Sequence, residues 1–180
     1  MMLTAQEQEA RAALHKRQGR GQRHDAKSAP HDALLLARRG AAFFARALNE
    51  LSDSAIYAPT PDGPSRAVVV ARISFEARAL AISLSALRGA AGSDMPDLDI
   101  GRSATLPAHA LRHLFHHAAI HLDVEWRDLE GAHWDQSIAF ADKQMPVRDT
   151  PLWRARRIWR GAVDLGQGAR LADIPDILRD

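Results

Sequence analysis

Four histidines recur at four-residue steps near the middle of the chain and offer its most obvious chemistry. They are His109, His113, His117 and His121. On an α-helix each such step turns the side chain by only about 40°, so all four would share one broad face. Two imidazoles one turn apart, such as His113 and His117, can bind one zinc ion together. We therefore weigh a site for zinc or another divalent metal against ordinary surface histidines.

The same segment carries an apolar stripe that competes with the histidines for the core. Its members are Leu111, Leu114, Phe115, Ala118 and Leu122. On a helical wheel the centre of the histidine face lies about 140° from this stripe. A metal site also needs a third ligand, and neither Asp123 nor Glu125 lies one turn from the histidine pair. The pattern favours histidines at the surface or at a subunit interface, and a metal on His113 and His117 remains the alternative.

Size, charge and cysteine content narrow the function classes. A chain of 180 residues suits one domain with its own core. Cysteine is absent, so a thiol nucleophile would have to come from a small molecule. The net charge of +2 is too small to indicate nucleic-acid binding. No segment has the pattern of a membrane span or an export signal, so we expect a cytoplasmic protein that binds neither membranes nor nucleic acid.

Apolar spacing predicts four long helices that would position these residues. They cover about 32–51, 64–87, 105–129 and 150–165. Asp32 is a suitable N-cap for the first helix, and Thr150 followed by Pro151 is suitable for the last. Alternating residues in "WDQSIAFADKQMPVRD" predict a small β-hairpin between the third and fourth helices.

These elements predict an all-α protein, a four-helix bundle, over residues 31–180. Residues 1–30 are polar and carry two glycines and a proline, so we interpret them as an N-terminal arm with a possible short helix over about 4–17. Such bundles often pair through their helices, which makes a homo-oligomer compatible with the sequence.

The helical segments also carry a family signature. Its segments are "LLLARRGAAFFARALNELSD", "PSRAVVVARISFEARALA", "LRHLFHHAAIHLDVEWRDLEGAHWD" and "TPLWRARRIWRGAVDLGQGARLADIPDIL". Together they resemble the N-terminal, metal-binding domain of the mycothiol-dependent maleylpyruvate isomerases, a branch of the DinB-like bundles, over residues 30–180. The run "AVDLGQGARLADIP" is the most distinctive piece.

The resemblance implies a fold and, for catalytic members, a chemistry. In those members a divalent metal, typically zinc, is held by a histidine on the second helix and by a glutamate and a histidine, four residues apart, on the fourth. The metal activates a low-molecular-weight thiol, which adds to an electrophilic double bond. A borrowed thiol would suit a chain without cysteine.

The same resemblance places other residues at the metal positions of this chain. Aligning the helices puts Arg72 at the first histidine, Arg157 at the glutamate and Gly161 at the second histidine. A guanidinium has no lone pair to give a metal, and glycine has no side chain, so we expect the family site to be absent. The sequence ends at Asp180, so we also expect the family's small C-terminal domain, which supplies a substrate-binding arginine, to be missing.

The two arginines could instead bind an anion. If they face each other, their guanidinium groups suit a small carboxylate or phosphate. Alternatively, Glu76 neutralises Arg72 one turn away, while Arg157 reaches solvent or pairs with Asp164 or Asp149. The candidate ligand-binding positions are therefore Arg72, Glu76, Arg157 and Gly161. No catalytic residue is predicted.

Two function classes stay open after this reasoning. The first is a non-catalytic family member, a binding or interaction module without a cofactor, which could take a small anionic ligand at the former metal site. The alternative is a thiol-dependent metalloenzyme, an isomerase or S-transferase. Its metal would have moved to His113 and His117, or a partner would supply the missing domain. Metal content separates the two classes.

Overall fold

Four long helices form the frame of the molecule in the computed structural model, which describes residues 25–61, 63–89 and 99–179. They are α1 (His31–Glu50), α2 (Arg66–Leu87), α3 (Ala108–Asp128) and α4 (Thr150–Asp164). A single helical turn, Ile100–Ser103, precedes α3. α1 packs mainly on α4 and α2 on α3, and α2 also contacts α4. The predicted all-α bundle is confirmed.

Two predicted helix caps are wrong. α1 begins at His31 with Pro30 at the N-cap, because the Pro30 carbonyl accepts a hydrogen bond from the Leu34 N–H at 3.0 Å. Asp32 lies in the first turn instead, where its carboxylate faces the positive end of the helix dipole. In α4 the N-cap is Asp149, and Thr150 is the first helical residue.

Thr150 joins α3 to the start of α4. Its side chain is fully buried. The hydroxyl donates to the Val147 carbonyl at 2.8 Å and accepts from the indole N–H of Trp126 at 3.1 Å.

The α3 helix itself begins at Ala108, three residues later than predicted, because Pro107 stands at its N-cap.

Two short antiparallel strand pairs interrupt the helices. β1 (Pro59–Thr60) pairs with β2 (Gly63–Ser65) in a loop for which no strand was predicted, and β3 (Ser137–Phe140) pairs with β4 (Lys143–Pro146). The second pair confirms the predicted hairpin. Its two turn residues, Ala141 and Asp142, have φ angles of 49° and 60°, which right-twisted two-residue hairpins require.

The described part of the predicted arm, residues 25–30, lies against the bundle. Asp25 accepts two hydrogen bonds from the Arg38 guanidinium at 2.6 and 2.7 Å. These bonds hold the pKa of Asp25 below its ordinary value. Arg38 also donates to Asp123 of α3 at 2.7 Å. The predicted short helix over 4–17 lies outside the described residues.

Arg66, the first residue of α2, connects two distant loops. Its Nε donates to the carbonyl of Leu165, which follows α4, at 2.6 Å. Its Nη1 donates to the carbonyls of Pro59 at 3.3 Å and Ala55 at 3.4 Å. One guanidinium therefore links the end of α4 to the segment that enters α2.

Within the described ranges, no helix is both long and apolar enough to cross a bilayer.

Gly40 lets α1 and α4 approach closely. A Cβ atom at this position would lie 2.6 Å from Cγ2 of Ile158 and 2.8 Å from the indole of Trp159. The same indole donates to the Leu36 carbonyl at 3.0 Å and stacks on Phe43 with ring centroids 4.9 Å apart. Trp159 is therefore held on two sides and has little freedom to move away.

Gly40→Ala is expected to destabilise the protein by about 1 kcal/mol, as the clash outweighs the better helix propensity of alanine. Urea unfolding monitored by circular dichroism measures this change. In an Ile158→Ala background the loss should shrink, because the nearest clashing atom is gone. An increase in stability from Gly40→Ala alone would show that the two helices do not meet this closely.

Candidate functional site

A cleft of about 740 Å³ opens between α2 and the β3–β4 hairpin. Residues of α2 form one wall, residues 139–144 form the other, and Ile100 closes one end. The α2 residues are Arg72, Phe75, Glu76, Ala79 and Ser83. Ser83 donates to the Ala139 carbonyl at 3.2 Å, which ties the two walls together. The volume lies within the range of small-molecule sites.

Arg72 lies at this cleft with most of its hydrogen-bonding capacity unused. Its Nη2 is 3.4 Å from a carboxylate oxygen of Asp164 on α4. That carboxylate also accepts from Nε of Arg160 at 3.1 Å, so two guanidinium groups share it. Nε of Arg72 is buried and has no partner among the described residues. Arg72 also lines a second cleft, of about 340 Å³, together with Arg160 and Asp164.

Glu76 and Arg157 form an ion pair across the contact between α2 and α4. Nε of Arg157 donates to both carboxylate oxygens of Glu76, at 3.1 and 3.2 Å, and Nη2 donates to Oε1. Hydrogen bonding to Glu76 raises the pKa of Arg157 above its ordinary value. The partners are exchanged relative to the pairing considered from the sequence. Glu76 pairs with Arg157 and not with Arg72, and Arg72 pairs with Asp164.

Gly161 lies in the core beside these charges. A Cβ atom there would meet Cδ1 of Ile73 at 2.8 Å and Cε2 of Phe44 at 3.4 Å. The side chain of Ile73 therefore occupies the space that a larger residue at position 161 would need. Among the four candidate positions, Arg72 and Glu76 line the large cleft, Arg157 is bonded to Glu76, and Gly161 serves helix packing.

Arg154 is the residue of this region that sequence reasoning missed. Its side chain is 3% exposed, its Nη1 donates to the Ile73 carbonyl at 2.8 Å, and its Nη2 has no partner among the described residues. Burial lowers the pKa of Arg154 to about 10, and the nearby charge of Glu76 acts in the opposite direction. The spacing of Arg154 to Ile158 and Ala162, four residues each, marks a core-facing stripe and could have revealed it.

Two crystal structures resemble this arrangement of helices. One is of the mycothiol-dependent maleylpyruvate isomerase and the other is of a histidine-to-alanine variant of that enzyme. The TM-scores are 0.74 and 0.75, and each match has 29% sequence identity over 83% of this chain. The fold is that of the maleylpyruvate isomerase. This chain covers 65% of the isomerase chain. No family model and no curated protein matches it.

The three residues that the resemblance places at the isomerase metal positions do not fit a metal ion. Arg72 and Arg157 carry guanidinium groups, which have no lone pair to donate, and each is already bonded to a carboxylate. At Gly161 the nearest atoms belong to the hydrocarbon side chain of Ile73. None of these three residues has a side-chain lone pair to give to a metal ion.

The histidines of α3 face away from the core, as predicted. His109, His113, His116 and His117 are exposed, whereas Leu111, Phe115, Ala118 and Leu122 are buried. The ring centroids of His113 and His117 are 6.1 Å apart. Nε2 of His121 is 3.4 Å from the carboxylate of Glu125. Across the part of the chain that the structure describes, no three histidine or acidic side chains come together as a metal site would require.

Proposed function

We propose that this chain is a maleylpyruvate isomerase family member that has lost the family metal site and binds a small anion instead of catalysing the metal–thiol reaction. The observation that carries the proposal is the Glu76–Arg157 ion pair across α2 and α4. Arg157 stands at the position where the resemblance expects a metal-binding glutamate. The side chain there is satisfied by a protein carboxylate and supplies no electron pair for a metal.

The charge balance around the pair favours an anion over a cation. Arg72, Arg154, Arg157 and Arg160 gather where α2 meets α4, and the carboxylates bonded to or acting on them are Glu76 and Asp164. Within the described part of the chain, four guanidinium groups against two carboxylates leave an excess of two positive charges there. Such an excess attracts anions and repels divalent cations.

Elemental analysis tests the loss of the metal. Protein purified without a histidine tag should contain no stoichiometric zinc, nickel or other divalent metal when measured by elemental mass spectrometry. Near-stoichiometric metal would contradict the proposal. If that metal disappeared in a His113→Ala/His117→Ala double variant, the function would be the alternative one, a thiol-dependent metalloenzyme with a relocated site. The exposed, neighbouring imidazoles of these two residues are the observation that favours it.

Thermal unfolding tests the anion. Phosphate or succinate at millimolar concentration should raise the melting temperature, and Arg72→Ala should abolish the rise. Arg46→Ala is a matched control, because Arg46 is exposed on α1 and lines none of the clefts described above. Equal shifts in the parent and in Arg72→Ala would contradict an anion site at Arg72.

A further inference from the structure

We infer that the 740 Å³ cleft between α2 and the β3–β4 hairpin binds an amphipathic monocarboxylate, with its carboxylate at Arg72 and Lys143 and its apolar body between Phe75 and Phe140. The inference rests on the proposed anion-binding function and specifies the class of ligand. It places the ligand carboxylate at Arg72, one of the three positions assigned to the metal, and beside the other two, because neither Arg157 nor Gly161 lines this cleft.

The walls of the cleft favour a ligand with an apolar group. Phe75, Ala79, Ile100 and Phe140 contribute hydrocarbon surface to it. A phosphate or a short dicarboxylate would fill a small part of about 740 Å³ and leave these walls in contact with water. Burying apolar area against them stabilises a complex by about 25 cal/mol for each Å². A ligand with a ring or an alkyl chain therefore gains binding energy that a bare anion does not.

Two cationic side chains at the cleft have N–H groups without a hydrogen-bond acceptor in the described structure. The side chain of Arg72 makes one hydrogen bond in the described structure, at 3.4 Å, to a carboxylate that Arg160 shares. Lys143, on the hairpin, is exposed at the cleft, and its side chain has no ion pair or hydrogen bond with the described residues. A ligand carboxylate could accept hydrogen bonds from both without displacing any strong interaction.

The acidic groups of the cleft explain why one carboxylate fits better than two. Glu76 is committed to Arg157, so it does not compete for Arg72. Asp142 lies at the exposed tip of the hairpin beside Lys143. A second ligand carboxylate near the tip of the hairpin would lie beside Asp142, and like charges repel. The cleft therefore favours a monocarboxylate, and a dicarboxylate such as succinate should bind at Arg72 more weakly.

The hairpin gives the site a boundary on its other side. Phe140 packs edge-on against Trp153 with ring centroids 4.9 Å apart, and Ser83 holds the Ala139 carbonyl. Beyond the hairpin lies another cleft, of about 530 Å³, which shares Phe140 and Lys143 with the first and is also lined by Trp153 and Arg156. Arg156 is therefore a matched control, since it is a cation of a neighbouring cleft that the inferred ligand does not contact.

The test uses 4-phenylbutyrate, its neutral amide, succinate and phosphate as probes in isothermal titration calorimetry with the full chain. We expect phenylbutyrate to bind in the millimolar range or tighter, and the amide at least tenfold more weakly. Arg72→Gln and Lys143→Gln should each weaken phenylbutyrate binding severalfold or more, whereas Arg156→Gln should leave it unchanged. Circular dichroism checks that each variant is folded, and Lys143 is exposed, so its replacement does not threaten the fold.

The other outcomes separate this inference from the proposed function. If succinate or phosphate binds in an Arg72-dependent way and phenylbutyrate does not, the anion site stands and the amphipathic ligand is overturned. Equal binding of phenylbutyrate and its amide, or binding indifferent to Arg72→Gln and Lys143→Gln, also overturns the inference. If none of the three anions binds, both the inference and the anion-binding function fail.

Discussion

Arg154→Met is expected to stabilise the bundle. The guanidinium of Arg154 is buried, bonded to one backbone carbonyl and has no carboxylate partner of its own. Burial lowers the pKa of Arg154 to about 10, well below the ordinary value of a guanidinium, which at about 1.4 kcal/mol for each pKa unit corresponds to a cost of about 3 kcal/mol. Methionine has similar length and no charge to desolvate. After allowing about 1 kcal/mol for the lost hydrogen bond, we expect a gain of about 2 kcal/mol.

The pH dependence of that gain has a definite sign. Below about pH 10 the guanidinium is charged in both the folded and the unfolded chain, so the folded protein bears the full cost. Above that pH the folded protein releases the proton first, and the parent regains stability. Denaturant unfolding at pH 7 and pH 10.5 should therefore show a smaller difference between parent and Arg154→Met at the higher pH. Arg156→Met, an exposed neighbour, is the control and should stay within about 0.5 kcal/mol at both.

Glu76→Gln is expected to have the opposite effect, a loss of about 2 kcal/mol. The carboxylate of Glu76 neutralises Arg157 directly and offsets the charge of Arg154 through space. Glutamine keeps the shape but leaves the buried guanidinium of Arg154 and the partly exposed guanidinium of Arg157 without that negative charge. Urea unfolding at neutral pH measures the loss. Glu50→Gln, at the exposed end of α1, should change stability little.

Combining the two substitutions shows whether they act through one charge cluster. If Glu76 stabilises Arg154 electrostatically, Glu76→Gln should cost less in the Arg154→Met background than in the parent, by about 0.5–1 kcal/mol. Strict additivity would mean that Glu76 acts through Arg157 alone. A larger loss from Glu76→Gln in the Arg154→Met background than in the parent would contradict an electrostatic interaction between Glu76 and Arg154.

Helix positions followed from the sequence because they depend on local spacing. The stripe from Leu111 to Leu122 predicted which side of α3 is buried, and alternation around Ala141 and Asp142 predicted the hairpin. Cap positions were less well predicted. Asp32 and Thr150 have side chains suited to capping, but Pro30 and the buried contact of Thr150 with Trp126 decide where those helices begin.

The sequence identified the charged residues of the candidate site but not the ion pairs that they form. The sequence singled out the charged residues at positions 72, 76 and 157 and left open whether the two arginines face each other. Their partners depend on how α2 and α4 are rotated about their axes, which a periodic pattern does not specify within one residue. Arg154 was missed because arginine is almost never fully buried, so its place on the apolar stripe of α4 was not weighed.

The guanidinium of Arg66 joins two loops of this chain without a covalent bond. A protein without cysteine cannot cross-link distant segments covalently, yet one guanidinium bonds the carbonyls of Ala55, Pro59 and Leu165 at once. Unlike a disulfide, this cross-link is indifferent to reducing conditions, and it re-forms spontaneously after each opening. The two loops should therefore open and close as one unit, although about a hundred residues of chain separate them.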